Sequence, residues 1–204
     1  MTKRQLEIIN SAGKILTREG ISGLTIKNIA TEMQFSESAL YRHFKSKEQI
    51  ILDMLNYLAD GIRQCCENVI EQNDSSTLQL ENLFAHQISY FKQHPHFVSV
   101  VFSDGLLEES ERINKAIREV MKVKYDLLLP IIQDGQLNGE FNNAIESQNL
   151  VEIIMGAFRL QMFKWKSTGF TSDIDGHGNE IIENLISLIQ KAEKGLTRDV
   201  SEYS

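Results

Sequence analysis

Thr25-Ile-Lys-Asn-Ile-Ala-Thr-Glu-Met-Gln-Phe-Ser-Glu-Ser-Ala-Leu-Tyr-Arg-His-Phe-Lys-Ser-Lys47 is the stretch from which the rest of the chain is read. Ile26, Ile29, Ala30 and Met33 recur at i, i+3, i+4 and i+7, the spacing of one apolar stripe on a helix. Leu40 and Phe44 give a second helix an inward pair, so two short helices around a tight turn share one small core. Ser36 stands just after the turn, where its hydroxyl can cap the second helix. Glu37, Ser38, Tyr41, Arg42 and His43 are then left largely outside that core. An ordinary helical hairpin is the plain alternative, because amphipathic helices with Ser and Lys outside are common. Against it stands the coincidence of stripe, turn, cap and outward Tyr, Arg, His and Lys in one window. Such a face suits the phosphates and base edges of a duplex.

A preceding helix over 3–20 and the sequel Phe44-Lys-Ser-Lys-Glu-Gln49 complete a unit that resembles the DNA-binding domain of the TetR (tetracycline repressor) family of bacterial transcription regulators. The family pattern Leu-Tyr-x-His-Phe-x-x-Lys stands intact as Leu40, Tyr41, Arg42, His43, Phe44 and Lys47. Two positions depart from it. Gln34 occupies the turn where members usually carry Gly, so a left-handed backbone there costs more. Glu37 takes the first outward position of the recognition helix, where phosphate repels it unless a cytosine amino group donates to it. The candidate DNA contacts are Thr25, Lys27, Ser36, Glu37, Ser38, Ala39, Tyr41, Arg42, His43 and Lys47.

Charge is distributed to match. The 204-residue chain carries a net charge of -7, but residues 1–50 hold eight Lys and Arg against five acids, or +3, and the remainder 13 against 23, or -10. A basic reading head on an acidic body keeps the body off DNA and limits affinity for random sequence. Hydrophobic content of 42% is ample for a buried core. No apolar run approaches a bilayer's thickness and the N-terminus lacks a signal peptide's apolar segment, so a cytoplasmic protein without membrane contact is expected. Cys65 and Cys66 are adjacent on an expected helix, point about 100° apart, and read as small partly buried side chains rather than a redox pair.

The fold expected is all-α, with a three-helix helix-turn-helix DNA-binding domain over 1–47 and a helical ligand-binding and dimerisation domain over 48–204. Ser46-Lys-Glu-Gln49 is a capping box opening a long helix to about Gln72, with Lys47 in its first turn, where a phosphate can meet both its charge and free amides. Residues 73–76 break the pattern, and Ser76 with Gln79 restarts it to about Gln93. His94-Pro95-His96 marks a turn, followed by a short apolar segment over 97–107. A helix from about Glu109 to Asp134 is expected to kink or end at Pro130, and residues 135–141 form the next loop, whose Gly-Gln and Gly-Glu-Phe elements are similar to a segment of many family members. Two last helices span about 146–167 and 179–194.

Those two helices are apolar on most sides. Core packing within one subunit is one explanation. The resemblance implies the other, a four-helix interface with a two-fold copy, with Ile154, Phe158, Trp165, Ile182, Leu185, Ile186 and Ile189 as candidate interface residues. A homodimer also lets two recognition helices about 34–36 Å apart read successive major-groove turns of a palindromic operator in double-stranded DNA. In the middle of the chain Phe84, Ile88, Phe91, Phe102, Leu106, Tyr125, Leu128, Met155, Phe158 and Met162, with Val101, Leu129 and Phe163, form a pool rich in aromatics and Met. They can close around an apolar ligand or simply fill a core. The resemblance implies a cavity for a small hydrophobic or amphipathic effector that releases a repressor from DNA. No cofactor and no metal are expected: His94-x-His96, even with His86, lacks the ligand spacing of a structural zinc site. No Gly-rich phosphate loop, nucleophile elbow or His-Glu-x-x-His motif speaks for catalysis. Two other readings stay open: a DNA-localised protein that recruits a partner without an inducer, and an apolar-ligand carrier or enzyme.

Overall fold

The computed structural model describes residues 1–67, 75–107 and 109–190. They form ten helices: α1 (Lys3–Gly23), α2 (Ile26–Glu32), α3 (Glu37–Tyr41), α4 (Lys47–Glu67), α5 (Ser76–Gln93), α6 (Pro95–Val101), α7 (Asp104–Leu107), α8 (Glu111–Leu137), α9 (Ser147–Ser167) and α10 (Ile174–Ile189). The described residues contain no strand, and one isolated bridge joins Phe141 to Gln190. The all-α expectation holds.

In the head, α1 lays Ile8, Ile9, Ala12, Ile15 and Leu16 over Leu24, Ile29, Leu40 and Phe44, all buried. Regular helix ends at Gly20, whose φ of 69° only glycine adopts without strain, and one further turn leads to Gly23. Thr25 accepts from the Asn28 amide at 3.1 Å and Ser36 from that of Ala39 at 3.2 Å, so both helices of the pair are side-chain capped. Gln34 takes a left-handed φ of 57° in the turn between them. This is the conformation for which glycine would be cheaper.

Several boundaries in the body differ from the sequence reading. Ser46 accepts from the Gln49 amide at 3.1 Å, but the Gln49 side chain donates forward to Asp53 at 2.7 Å, so only half of the expected capping box forms. α5 is capped by Ser75, which accepts from the Leu78 amide, while the Glu140 carboxylate accepts from the amides of Ser76 and Thr77 at 3.0 and 3.1 Å. Pro95 opens α6 at its first position, where a missing N–H costs nothing. The apolar segment after it divides into α6 and α7. α8 neither ends at Pro130 nor gives way to a loop at Gly135 but runs to Leu137. Pro130 lies on the exposed side, and burial of Ile131, Ile132 and Gly135 on the other offsets the lost backbone bond. Phe141 folds back so closely over Gly135 that a Cβ there would sit 2.2 Å from its ring. α10 starts at Ile174, capped by Asp173 accepting from the Gly176 amide, five residues ahead of expectation. The expected end of α4 near Gln72, residues 73 and 74 of the break, and residues 191–194 lie outside the described residues.

Head and body meet along α4, whose Ile50, Ile51, Met54, Leu55, Leu58 and Ile62 are buried between them. α6 adds a second seam, where the His96 ring lies so close over Gly13 of α1 that a Cβ on that glycine would come within 2.5 Å of it. Three contacts link the first turn of α4 and the corner before α8. Lys47 pairs with Glu109 at 2.9 Å, and Glu48 accepts from Ser110 Oγ at 2.7 Å and from Arg112 at 2.8 Å; Ser110 also caps α8.

Candidate DNA interface and ligand slot

The outer surface of the reading head follows from its caps and stripes. Because Leu40 and Phe44 point inward, Glu37, Ser38, Tyr41, Arg42 and His43 point outward and are exposed, Tyr41 by 51%. Ser36 is exposed but its hydroxyl is shared between the Ala39 amide and Ser38 Oγ, 2.9 Å away. Thr25 likewise uses its hydroxyl as a cap, Lys27 is exposed, and Ala39 is half-buried. Gln5 of α1 donates to the His43 carbonyl at 3.3 Å and Arg4 lies over the Phe35 ring at 5.2 Å, so α1 holds both ends of the reading helix. Lys47 is the exception among the candidates: it is only partly exposed and already paired with Glu109. A phosphate would compete with that carboxylate for it.

The central side chains form a narrow slot between α5, α6, α8 and α9, walled mainly by aromatic and aliphatic side chains. Seven expected residues line it: Phe84, Phe91, Phe102, Leu128, Met155, Phe158 and Met162. Phe84 and Phe158 stack tilted at 5.1 Å, and Phe91 lies 6.4 Å from Phe158. Three expected residues do not line it. Ile88 is buried against Gly178 of α10, Leu106 is fully buried core, and Tyr125 borders a neighbouring surface groove between α8 and α9.

Sequence reasoning missed the slot's polar lining, Gln87, Lys124 and Arg159. A signal existed. Gln87 falls between Phe84 and Phe91 on the apolar stripe of α5, and Lys124 between Val120 and Leu128 on that of α8, so each is a polar residue at a core register. Gln87 is 1% exposed, donates from Nε2 to Cys66 Sγ at 3.8 Å, and leaves Oε1 without a partner. Lys124 Nζ lies 4.4 Å from the Phe158 ring centroid and 5.1 Å from that of Phe91. Burial pushes its ammonium down to about 8. Arg159, at the exposed end, lies over the Phe102 ring at 4.4 Å.

The expected interface residues turn out to be spent inside the chain. Ile154, Phe158, Trp165, Ile182, Ile186 and Ile189 are each 5% exposed or less, and Leu185 is half-buried. α9 and α10 were too apolar for one neighbour because they have several: α8, α5 and each other. What they leave uncovered is a different set, Ile153, Leu160 and Phe163 of α9 at about half exposure and Leu188 of α10 at 78%. No three His, Cys, Asp or Glu side chains among the described residues gather as a metal site, and no helix among them is long and apolar enough to cross a membrane. His94 and His96 stand edge to face at 6.0 Å.

Comparison with known proteins places these features in context. Residues 8–54 match the family model described as bacterial regulatory proteins, tetR family, and residues 54–188 match that of the YsiA-like protein C-terminal region. Among curated proteins, the chain is 24% identical over 157 residues to the nucleoid occlusion factor SlmA of Vibrio campbellii, covering 76% of this chain and 80% of that one. It is 26% identical over 139 residues to the HTH-type transcriptional repressor NicS of Pseudomonas putida, covering 68% of this chain and 66% of the repressor. Among solved structures, the ketosteroid regulator KstR2 of Mycobacterium tuberculosis superposes with a TM-score of 0.78 at 18% identity, over 94% of this chain and 97% of that one. The regulator FadR of Bacillus subtilis, in complex with stearoyl-CoA, gives 0.78 at 19% identity over 91% and 99%.

Proposed function

The chain belongs to the tetR family of bacterial regulatory proteins, and from that premise we propose that this DNA-binding transcriptional regulator works as a cytoplasmic homodimer, a repressor released from a palindromic operator when a hydrophobic or amphipathic small molecule enters the slot. The observation that carries the reading is that α4 and α8 both run from the reading head's edge to the slot. α4 begins beside the reading helix and reaches Cys66, which holds Gln87 of the slot; α8 ties Glu48 at one end and supplies Lys124 and Leu128 further along. At 1.5 Å per residue each is a rod about 30–40 Å long. A ligand that displaces α8 against α4 changes how Lys47 and Glu48 are held and so where the heads sit. Exposed ion pairs of this sort contribute little stability, about 0–1 kcal/mol each, so they fix register without locking it. Two heads must fit one rigid duplex, and a ligand shifts that equilibrium only by its preference for one state.

The dimer proposed here uses the apolar side chains left exposed, Ile153, Leu160, Phe163 and Leu188, in place of the buried set expected from sequence. The likeness to a FadR structure carrying stearoyl-CoA supports an effector with a long apolar body. Selection of duplexes from a randomised pool, followed by anisotropy titrations over a salt series, tests the reading. Lys47→Ala should weaken binding to all sequences and reduce the log-log salt slope by about 0.9 for the lost phosphate contact. Arg42→Ala should instead relax the preferred sequence. A protein that stays monomeric at all concentrations, or ignores every duplex at low salt, refutes the proposal.

A further inference from the structure

The slot contains two polar groups whose chemistry calls for a partner that the described residues do not supply. Lys124 of α8 forms no ion pair with a carboxylate among them. The rings of Phe158 and Phe91 give its ammonium a cation–π contact, which is partial compensation for a half-buried charge. Gln87 of α5 is almost wholly buried, and its Oε1 has no donor. Its one bond goes to a thiol, a weak acceptor. Around these two groups the wall is aromatic and aliphatic.

We propose that the slot takes an unesterified amphipathic acid, with its carboxylate held between Lys124 and Gln87 and its hydrocarbon body lying along Phe84, Phe158 and Met162. This deepens the reading of the slot as an effector site and rests on it. A carboxylate accepts from the Lys124 ammonium through one oxygen, a charge-assisted bond stronger than a neutral one. Turned end for end, the Gln87 amide donates Nε2–H to the second oxygen and accepts the Cys66 S–H on Oε1, so both ends of the amide are satisfied. Cys66 keeps its proton, because its contact with Cys65, together with burial, pushes the thiol up, and turning that S–H from Cys65 to the amide lets it donate there. A coenzyme A thioester has no free carboxylate for these two groups to hold. Cys65 and Cys66 of α4 and Arg159 of α9 are the titratable groups that act on Lys124, and Gln87 is neutral. With the ammonium at about 8, the acid's advantage fades as pH rises beyond that value.

Calorimetric titration of the full chain tests this with octanoic, dodecanoic and hexadecanoic acids, each beside its primary alcohol and its coenzyme A thioester. At neutral pH the acid should bind on the order of tenfold or more tightly than the alcohol, the scale of one charge-assisted hydrogen bond. Lys124→Met should abolish that preference and retain alcohol binding, and Gln87→Leu should reduce it. Thermal unfolding checks that both variants fold. Equal binding of acid and alcohol, a preference that survives Lys124→Met, or a thioester that outbinds the acid overturns the carboxylate assignment and leaves the slot as an effector site. Binding by none of the probes overturns both.

Discussion

The reading head and the slot are built by opposite means. In the head the side chains that face solvent and those that face the core alternate within one short stretch, and neighbours in sequence are neighbours in space: Ser36 caps Ala39, Thr25 caps Asn28, and Leu40 and Phe44 share one face. In the slot Gln87, Val101, Lys124 and Phe158 come from four helices and meet only because those helices pack. The lesson is that a surface which reads DNA can be written locally, whereas a cavity cannot. A cavity is the space left over when larger things are settled.

The strongest way to break this comparison is through the head's core. Phe44 is 2% exposed, and Phe44→Ala should cost about 3–5 kcal/mol in denaturant unfolding, because the compact head has little freedom to collapse on the void. Met155→Ala, at a half-buried position on the wall of the existing slot, should cost clearly less. If the two were equal, the slot would be as tightly determined as the head, and the contrast would fail.

The seam between head and body gives the next effect. Burial pushes His96 down to about 4, with His94 and Lys14 adding to it, from an ordinary 6.5. The unfolded chain therefore takes up the proton first as pH falls. Stability from this group is fully present above about pH 6.5 and drains away towards pH 4, by at most about 3 kcal/mol. Unfolding followed across that range should show the loss, and His96→Leu should flatten it. A pH profile unchanged by the substitution would mean that His96 is not the group that titrates at the seam.

The smallest effect sharpens the head's local character. Gln34 holds a left-handed φ of 57°, so Gln34→Gly should raise stability by about 1 kcal/mol, the cost of placing a side chain there less the flexibility glycine adds to the unfolded chain. Thermal unfolding resolves a change of that size. No gain would show that the turn's strain is already relieved by its neighbours.

Much of this could be read before any coordinates, and the failures are instructive. The stripe over 26–33, the cap at Ser36 and the strained turn at Gln34 were legible because each is a relation among residues a few positions apart. Pro130 misled because its local cost is outweighed by burial of Ile131 and Ile132 beside it. Ile154, Ile182 and Ile186 read as interface candidates in the sequence, yet are buried within the chain, because a wide apolar stripe says that a helix is covered without saying by what. Lys124 and Gln87 do not stand out in the sequence, because a charged or amide side chain on a helix ordinarily faces water. Only their registers among Val120, Leu128, Phe84 and Phe91 marked them.

The sequence by itself determined an all-helical chain with a capped, basic reading head, since helix periodicity, capping and the handedness of a turn act over a few residues and need no distant partner. Which apolar faces stay bare, that Lys47 is held by Glu109, and that Lys124 and Gln87 face one slot were decided by the tertiary structure alone. The reason is that burial belongs to pairs of surfaces. A residue's pattern states that its face must be covered, and only the packed fold names what covers it.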